Sequence, residues 1–334
     1  MKVLVTGAAG YVGCVLVPKL IDAGHTVLAY DIMYYGNAGL RPHPRLQVVK
    51  ADLRDTPSFA KAVKNCEAVI HLACISNDPS FELDAALGKS INFDCFEPMV
   101  LAGQAAGVKR FIYASSSSVY GVSESPNVDE THPLKPLTDY SKFKAMCEEV
   151  LARLKKPGFT VCVIRPATVC GYSPRTRMDL SVNILTNLAV NKRRITVFGG
   201  SQKRPNIHID DISDLYVELL ALPAETIDGQ TWNAGYQNHT IADLAKMAKA
   251  VVEQEFPEKV PIEIVTSPTD DLRSYHVSSE KITRDIGFRP KRTVEDAMRD
   301  LCRAFKAGKL AGSLDDPRYF NVQTMKAVPA APTA

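Results

Sequence analysis

Two short stretches carry residue types that could move a proton and a hydride together. Tyr140-Ser141-Lys142-Phe143-Lys144 opens an amphipathic pattern that runs to Leu154. On a helix, Tyr140 and Lys144 are four apart and share one face. A free tyrosine, with a pKa of about 10, is a poor base at neutral pH. A neighbouring ammonium favours its phenolate, and the positive charge of a bound nicotinamide would add to that. Tyr140 could then take a proton from a substrate hydroxyl while hydride leaves the same carbon. The second stretch is Ser115-Ser116-Ser117-Ser118-Val119-Tyr120-Gly121, at the end of an apolar strand pattern from Arg110. A serine there, by preference Ser116, would bond the same substrate oxygen and steady its charge.

These groups need a sheet to hold them. At the start of the chain an apolar run, Val3 to Val5, stops at Gly7, Gly10 and Gly13, and a helical pattern spans Tyr11 to Ala23. A buried strand, a tight turn and a helix N-terminus form a cradle for a dinucleotide, because the first helical amides lack partners and the dipole favours anions. Thr26 to Tyr30 reads as the second strand, closed by Asp31, 18 residues after Gly13. An acid there accepts the adenosine ribose hydroxyls and repels a 2′-phosphate, which selects NAD. After a third strand, Gln47 to Lys50, Asp52 and Leu53 are placed for the adenine. Ala68 to Ala73 is a further strand, Leu83 to Ala106 a long helical pattern containing Asn92, and Phe159 to Arg165 a strand stopped by Pro166. Strand and helix alternate, so the expected fold is α/β with a doubly wound parallel sheet. Pro18 should break one amide bond of the first helix, to Cys14, and kink it.

From about residue 170 the alternation loosens. Residues 1–168 are expected to form the dinucleotide domain, joined again by segments near 205–235. Residues 169–315 form a smaller C-terminal α/β substrate domain, and 316–334 a partly disordered tail of low complexity. With 46% hydrophobic and 23% charged residues the composition is that of an ordinary globular protein. A net charge of +3, without long like-charged runs, speaks against nucleic acid as a partner. No apolar run reaches the roughly 18–20 residues of a membrane span, and a strand at residue 2 leaves no room for a signal peptide. The eight cysteines lack a C-x-x-C pair and read as reduced thiols of a cytoplasmic protein. His208, in a strand with nothing to complete a metal or acid–base set, reads as structural, and no metal site is expected.

Together these motifs resemble the extended short-chain dehydrogenase/reductases, and among them the NAD-dependent nucleotide-sugar epimerase/dehydratase group. The resemblance rests on Thr6-Gly7-Ala8-Ala9-Gly10-Tyr11-Val12-Gly13, Asp31, Asp52-Leu53, His71-Leu72-Ala73, Asn92, Ser115 to Gly121 and Tyr140-x-x-x-Lys144. Arg204-x-x-Ile207-His208-Ile209-x-Asp211, Asn233-Ala234-Gly235 and Lys281-x-x-x-Asp285-x-Gly287-Phe288-x-Pro290 extend it to about residue 305. It implies a Rossmann sheet and bound NAD. Gly7, Gly10, Tyr11, Val12 and Gly13 would meet the pyrophosphate, Asp31 the ribose, and Asp52 and Leu53 the adenine. Leu72, Ala73, Asn92, Ser115 and Pro166 would line the cofactor. Ser116 aligns with the catalytic serine or threonine, Tyr140 with the base, and Lys144 with its partner on the nicotinamide ribose. Ser116, Ser117, Thr168, Arg204 and Arg273 are the candidates for a nucleotide-diphosphate sugar. A homodimer is implied, paired through helices near 92–106 and 140–155.

Relatives that dehydrate or decarboxylate carry acids where this chain has Ser117 and Ser118, so both reactions are disfavoured. What remains is epimerisation: oxidation at C4 and return of hydride to the other face. The alternatives are a net dehydrogenase or 4-ketoreductase, and a non-catalytic NAD-binding regulator. Bulky Phe96 after Asn92, and Pro205 after Arg204, depart from the group and are expected to alter the sugar pocket.

Overall fold

The computed structural model describes residues 1–327 except 38, 124, 126, 270–273 and 275. Seven strands form one wholly parallel sheet: β1 (Lys2–Thr6), β2 (Thr26–Asp31), β3 (Leu46–Lys50), β4 (Ala68–His71), β5 (Arg110–Ala114), β6 (Thr160–Pro166) and, from much later, β10 (Gln230–Ala234). Their order is β10-β6-β5-β4-β1-β2-β3. The chain reverses direction between β1 and β4, which opens a crevice at the strands' carboxyl ends. The central strands are near-continuous apolar runs because helices cover both faces. On one face Val3, Val5 and Ile70 pack under α1 (Gly13–Asp22), with α6 (Ile209–Ala221). On the other, Leu4, Val69 and Phe111 pack under α2 (Thr56–Ala62), α3 (Phe96–Ala105) and α4 (Asp139–Arg153).

The second lobe has its own core, in which α5 (Ser181–Lys192), α7 (Ile241–Glu255) and α8 (Val294–Lys306) bury Leu185, Leu244 and Met298. Between the lobes lies a small sheet, β7 (Thr168–Cys170), β9 (Lys203–His208) and β11 (Gln237–Thr240). A pair, β8 (Arg194–Phe198) with β12 (Glu263–Ser267), lies on the far side.

Several local expectations are corrected. α1 is continuous from Gly13 to Asp22 with Pro18 inside it, on the exposed face. The helical pattern from 83 to 106 is three segments, with a π-helical turn at Ser90–Asp94 around Asn92. β9 ends at His208, and α6 takes over at Ile209, capped by the His208 side chain. Residues 317–327 of the expected tail fold into a helical turn and α9 (Asn321–Ala327), because Asn321 and Thr324 are buried against the main body. Residues 328–334 lie outside the described ones.

His71, at the end of β4, is 3% exposed; its ring packs on Phe96, Phe111 and Tyr113, with Nδ1 2.7 Å from the Thr6 hydroxyl. Burial, with the Lys144 charge behind it, pushes the imidazole down to about 3. The folded protein therefore holds His71 neutral at pH values where the unfolded chain, with an ordinary pKa near 6.5, takes a proton. Stability should fall as pH drops below 6.5, by about 2 kcal/mol at pH 5 from this group. Urea titrations at pH 7 and 5 should show His71→Gln losing less over that interval than the wild type, by that order. Equal losses would refute the assignment.

Candidate active site

The crevice holds a cavity of about 390 Å³ that runs from Asp31 and Asp52, past the glycine turn, to Ser116, Tyr140 and Lys144. At its closed end the fold uses glycines as close-packing residues. Gly7 has φ +69°, and a Cβ there would come 2.7 Å from the Ala73 amide. A Cβ on Gly13 would lie 2.4 Å from the Gly7 carbonyl oxygen, so only glycine lets α1 start directly on the turn. Among the described residues the amides of Tyr11 and Val12 make no hydrogen bond to the protein, which leaves the N-terminus of α1 open to an anion. Asp31 accepts from the Ala9 amide at 3.0 Å and the Met33 amide at 2.6 Å, and each oxygen keeps a lone pair for a ribose hydroxyl. Burial raises its carboxyl, and those two amides and the Arg175 charge pull the other way. Asp52 faces the same cavity but is gripped in a fork by Arg54 at 2.6 Å; burial opposes its charge and Arg54 more than restores it. These features fit a dinucleotide with a free 2′-hydroxyl.

At the other end Thr138 caps α4 by accepting the Ser141 amide, which starts the helix so that Tyr140, Lys144 and Glu148 point to one side. Lys144 is 4% exposed; its Nζ donates to the Ala114 carbonyl at 2.6 Å and stands 5.9 Å from the Tyr140 ring centre. Tyr140 is pushed well above the ordinary range, by burial first and then by Cys74 and Asp78. Arg177 and a hydrogen bond with Ser116 act in the opposite direction. In the protein by itself desolvation dominates, and Arg177 is the leading opposing cation. Ser116 caps a 3-10 turn, Ser117–Tyr120, and its hydroxyl begins a chain. Ser116 Oγ is 2.8 Å from Ser118 Oγ, Ser118 is 3.0 Å from Ser141, Ser141 is 3.0 Å from Thr138, and Thr138 donates to Asp78 at 2.6 Å.

Below the site lies a buried polar cluster. Glu148 accepts from Ser115 Oγ at 2.5 Å and is forked by Arg165 on β6 at 2.6 Å, both ends of the pair being more than nine-tenths buried. Arg165 also donates to the Tyr120 hydroxyl at 2.7 Å, and Tyr120 donates to Asn233 on β10 at 2.7 Å. Ser115 therefore presents its backbone to the cavity and commits its side chain to structure.

The cavity gathers most of the residues singled out from sequence, including Leu53, Leu72, Ala73, Ser117, Pro166 and Thr168. Asn92 stands behind the lining. Its amide clips the Ile75 backbone in both directions, at 2.8 and 3.0 Å, and so shapes the loop that does line it. Tyr11 lends backbone only, its hydroxyl donating to the Gly171 carbonyl at 2.6 Å. Arg204 borders a smaller neighbouring cavity, with Asp78, Ser118 and Thr138. Arg273 lies outside the described residues. Phe96 is core, 1% exposed, and does not shape the cavity. His208 is bonded between Asp210 and Asp300, whose carboxylates also bind Lys19 and Arg303. The sequence reading missed Arg175, Arg177 and, from the tail, Asn321 and Met325, all of which line the cavity. The doublet Arg175-x-Arg177, two cations against the single acid Asp179 in the segment before α5, was the available signal.

Removing one member of a buried ion pair strands the other, typically at 3–5 kcal/mol. Glu148→Ala should lower unfolding stability by about that amount. A Glu148→Met, Arg165→Met double variant should cost clearly less. Urea midpoints measure both, and equal costs would show the pair to be peripheral.

Against this geometry, comparison with known proteins is informative. The family described as "NAD dependent epimerase/dehydratase family" matches residues 3–235. A UDP-glucose 4-epimerase of Lactobacillus helveticus is 26% identical over 315 residues, 87% of this chain and 92% of that one. A dTDP-glucose 4,6-dehydratase of Streptomyces griseus is 28% identical over 307 residues, 88% and 91% of the two chains. Among solved structures, the UDP-glucose 4-epimerase of Thermus thermophilus in complex with NAD superposes with a TM-score of 0.80 at 24% identity, covering 92% of this chain and 99% of that one. A Rossmann crevice with a glycine turn and an acid-ended second strand, matched over most of the chain's length, places this protein in the NAD dependent epimerase/dehydratase family, an enzyme family whose cofactor is NAD.

Proposed function

We propose that the chain is a nucleotide-sugar 4-epimerase with NAD held by Gly7, Gly10, Gly13, Asp31, Leu53 and Lys144. The reading rests on one observation: a single cavity joins the dinucleotide cradle to Ser116, Tyr140 and Lys144, with serines at 117 and 118. When bound, NAD supplies reversible hydride acceptance. Tyr140 takes the proton of the sugar 4-hydroxyl and gives it back after the sugar has turned. Ser116 holds the same oxygen, and the Ser118–Ser141–Thr138 hydroxyls let its hydrogen bonds reorganise without stranding a charge. Lys144, tied to the Ala114 carbonyl, orients the ribose side of the site. Dehydration needs an acid beside the sugar's C5 and C6, and the carboxylate nearest to the chain of hydroxyls, Asp78, is engaged by Thr138. The names of the relatives support UDP- or dTDP-linked sugars as substrates.

The exposed apolar side chains Leu101 on α3 and Met146 on α4, 45% and 38% exposed on neighbouring helices, support pairing of two copies there. No helix among the described residues is long and apolar enough to cross a membrane.

Cofactor released by denaturation should be NAD, and native protein given UDP-, dTDP-, GDP- and CDP-sugars should convert one to its 4-epimer by NMR, with no net NADH. NADH growing in step with substrate loss would replace the epimerase by a dehydrogenase. Tyr140→Phe should lower kcat by roughly 10²–10⁴; an unchanged rate would remove Tyr140 as the base, and no conversion of any sugar by the wild type would favour the non-catalytic regulator. The burial of Tyr140 predicts that kcat/KM rises with pH from neutral into the alkaline range, since the base must lose a proton that the site holds tightly. Leu101→Glu with Met146→Glu should sediment as a monomer, and a persisting dimer would place the interface elsewhere.

A further inference from the structure

Arg175 stands out among the charges of the cavity. It lies in the segment between β7 and α5, in the second lobe, yet it lines the cofactor cavity and is only 8% exposed. One of its nitrogens, Nη2, donates to Asn321 Oδ1 at 2.5 Å, and the guanidinium lies 3.8 Å from the centre of the Tyr35 ring. Its Nε is buried and has no hydrogen-bond partner among the described residues. No carboxylate among those residues comes within ion-pair distance of it. Asp179 is taken by Arg177 at 2.9 Å, and Asp31 is held by two backbone amides. Burial and the neighbouring Arg177 push Arg175 down to about 10, the mark of a cation short of a counter-charge.

Its position says what that counter-charge is. Ser173 accepts from the Arg175 amide at 3.2 Å and donates to the Tyr11 carbonyl at 2.8 Å, while the Tyr11 hydroxyl reaches back to Gly171 at 2.6 Å. The Arg175 segment is thus bolted to the turn that opens α1, where the Tyr11 and Val12 amides also lack partners. A buried guanidinium and an open helix N-terminus, held on one frame, both call for phosphate oxygens. We propose that Arg175 binds the diphosphate seated at the glycine turn, reaching across from the second lobe, and that Asn321 of the C-terminal helix sets the direction of its fork. The proposal concerns NAD and does not depend on which sugar is turned over. The same chemistry could come from the diphosphate of the nucleotide sugar, and the probes below separate the two.

Wild type, Arg175→Gln and Arg175→Lys would be compared for NAD content after purification and, by calorimetry on nucleotide-stripped protein, for affinity to ADP-ribose, adenosine and UDP. Loss of a charge-assisted bond predicts a drop of about ten- to a hundredfold for ADP-ribose in Arg175→Gln, with matching loss of retained NAD. Adenosine, which lacks phosphate, should bind all three proteins alike, and Arg175→Lys should fall between. A drop confined to UDP would move the contact to the substrate's diphosphate. A second readout separates binding from folding: without ligand, Arg175→Gln should melt no lower than wild type, and only the stabilisation by ADP-ribose should shrink. Unchanged affinities for both ADP-ribose and UDP, or a ligand-free protein that melts lower with ligand stabilisation intact, would overturn the proposal.

Discussion

The buried Glu148–Arg165 pair fixes the frame on which the chemistry stands. Arg165 is on β6 and Glu148 on α4, with Ser115 of the β5 end joined to the same carboxylate. A charge taken out of water is costly unless it is paired and hydrogen-bonded, so the helix has one docking position in which the pair is complete. Lys144 and Tyr140 lie one and two turns earlier on that face of α4. A slip of the helix along the sheet would strand Arg165 and withdraw Lys144 from the Ala114 carbonyl at the same time. Position at the site is thus enforced by a penalty incurred beneath it.

The second constraint is the joint between the lobes. The cofactor cavity belongs mainly to the first lobe, but its outer wall is made by segments from residues 166–180 and 321–325. Tyr11 and Ser173 tie that wall to the glycine turn, and Asn321 ties it to Ser76 by donating to the Ser76 carbonyl at 3.2 Å and its hydroxyl at 2.9 Å. Each tie uses a buried polar group whose alternative is an unmade bond, so the joint closes as a unit. The glycine turn then does more than admit a ligand: it is where the second lobe is registered against the first.

What could be read from the sequence follows from how local each cause is. The strand–turn–helix at residues 2–22 is dictated by neighbours in the chain, and Tyr140 and Lys144 by a helical spacing, so both were legible. The parallel, doubly wound character of the sheet was legible because strands alternating with helices leave few choices of connection. Asn92 illustrates the limit: its residue type marked it, but the π-turn that swings its amide onto Ile75 depends on packing of α4 against the same turn. Asn321 and Met325 were lost because a short polar helix followed by low-complexity residues looks like a tail, and the partners of Asn321, Ser76 and Arg175, lie 245 and 146 residues away. Asp52 lines the cavity, while the Arg54 fork that occupies it was not anticipated, although the two are only two residues apart.

The serines at 116 to 118 carry an argument about charge. A carboxylate at the strand end would sit beside Tyr140 and raise further a phenol that burial already holds high. Here the acid is withdrawn: Asp78 comes from the loop after β4 and is reached from Ser116 only through Ser118, Ser141 and Thr138. Hydroxyls both donate and accept, so such a chain can reverse its direction of donation when the reacting oxygen changes between alcohol and ketone. A reaction that takes a proton and returns it to the same oxygen needs that reversibility. Elimination instead needs an acid that delivers its proton to a leaving group. A neutral chain anchored on a distant carboxylate suits the first requirement and not the second, so under the proposed 4-epimerase reading the serines at 117 and 118 answer to the kind of turnover rather than to the binding of the cofactor.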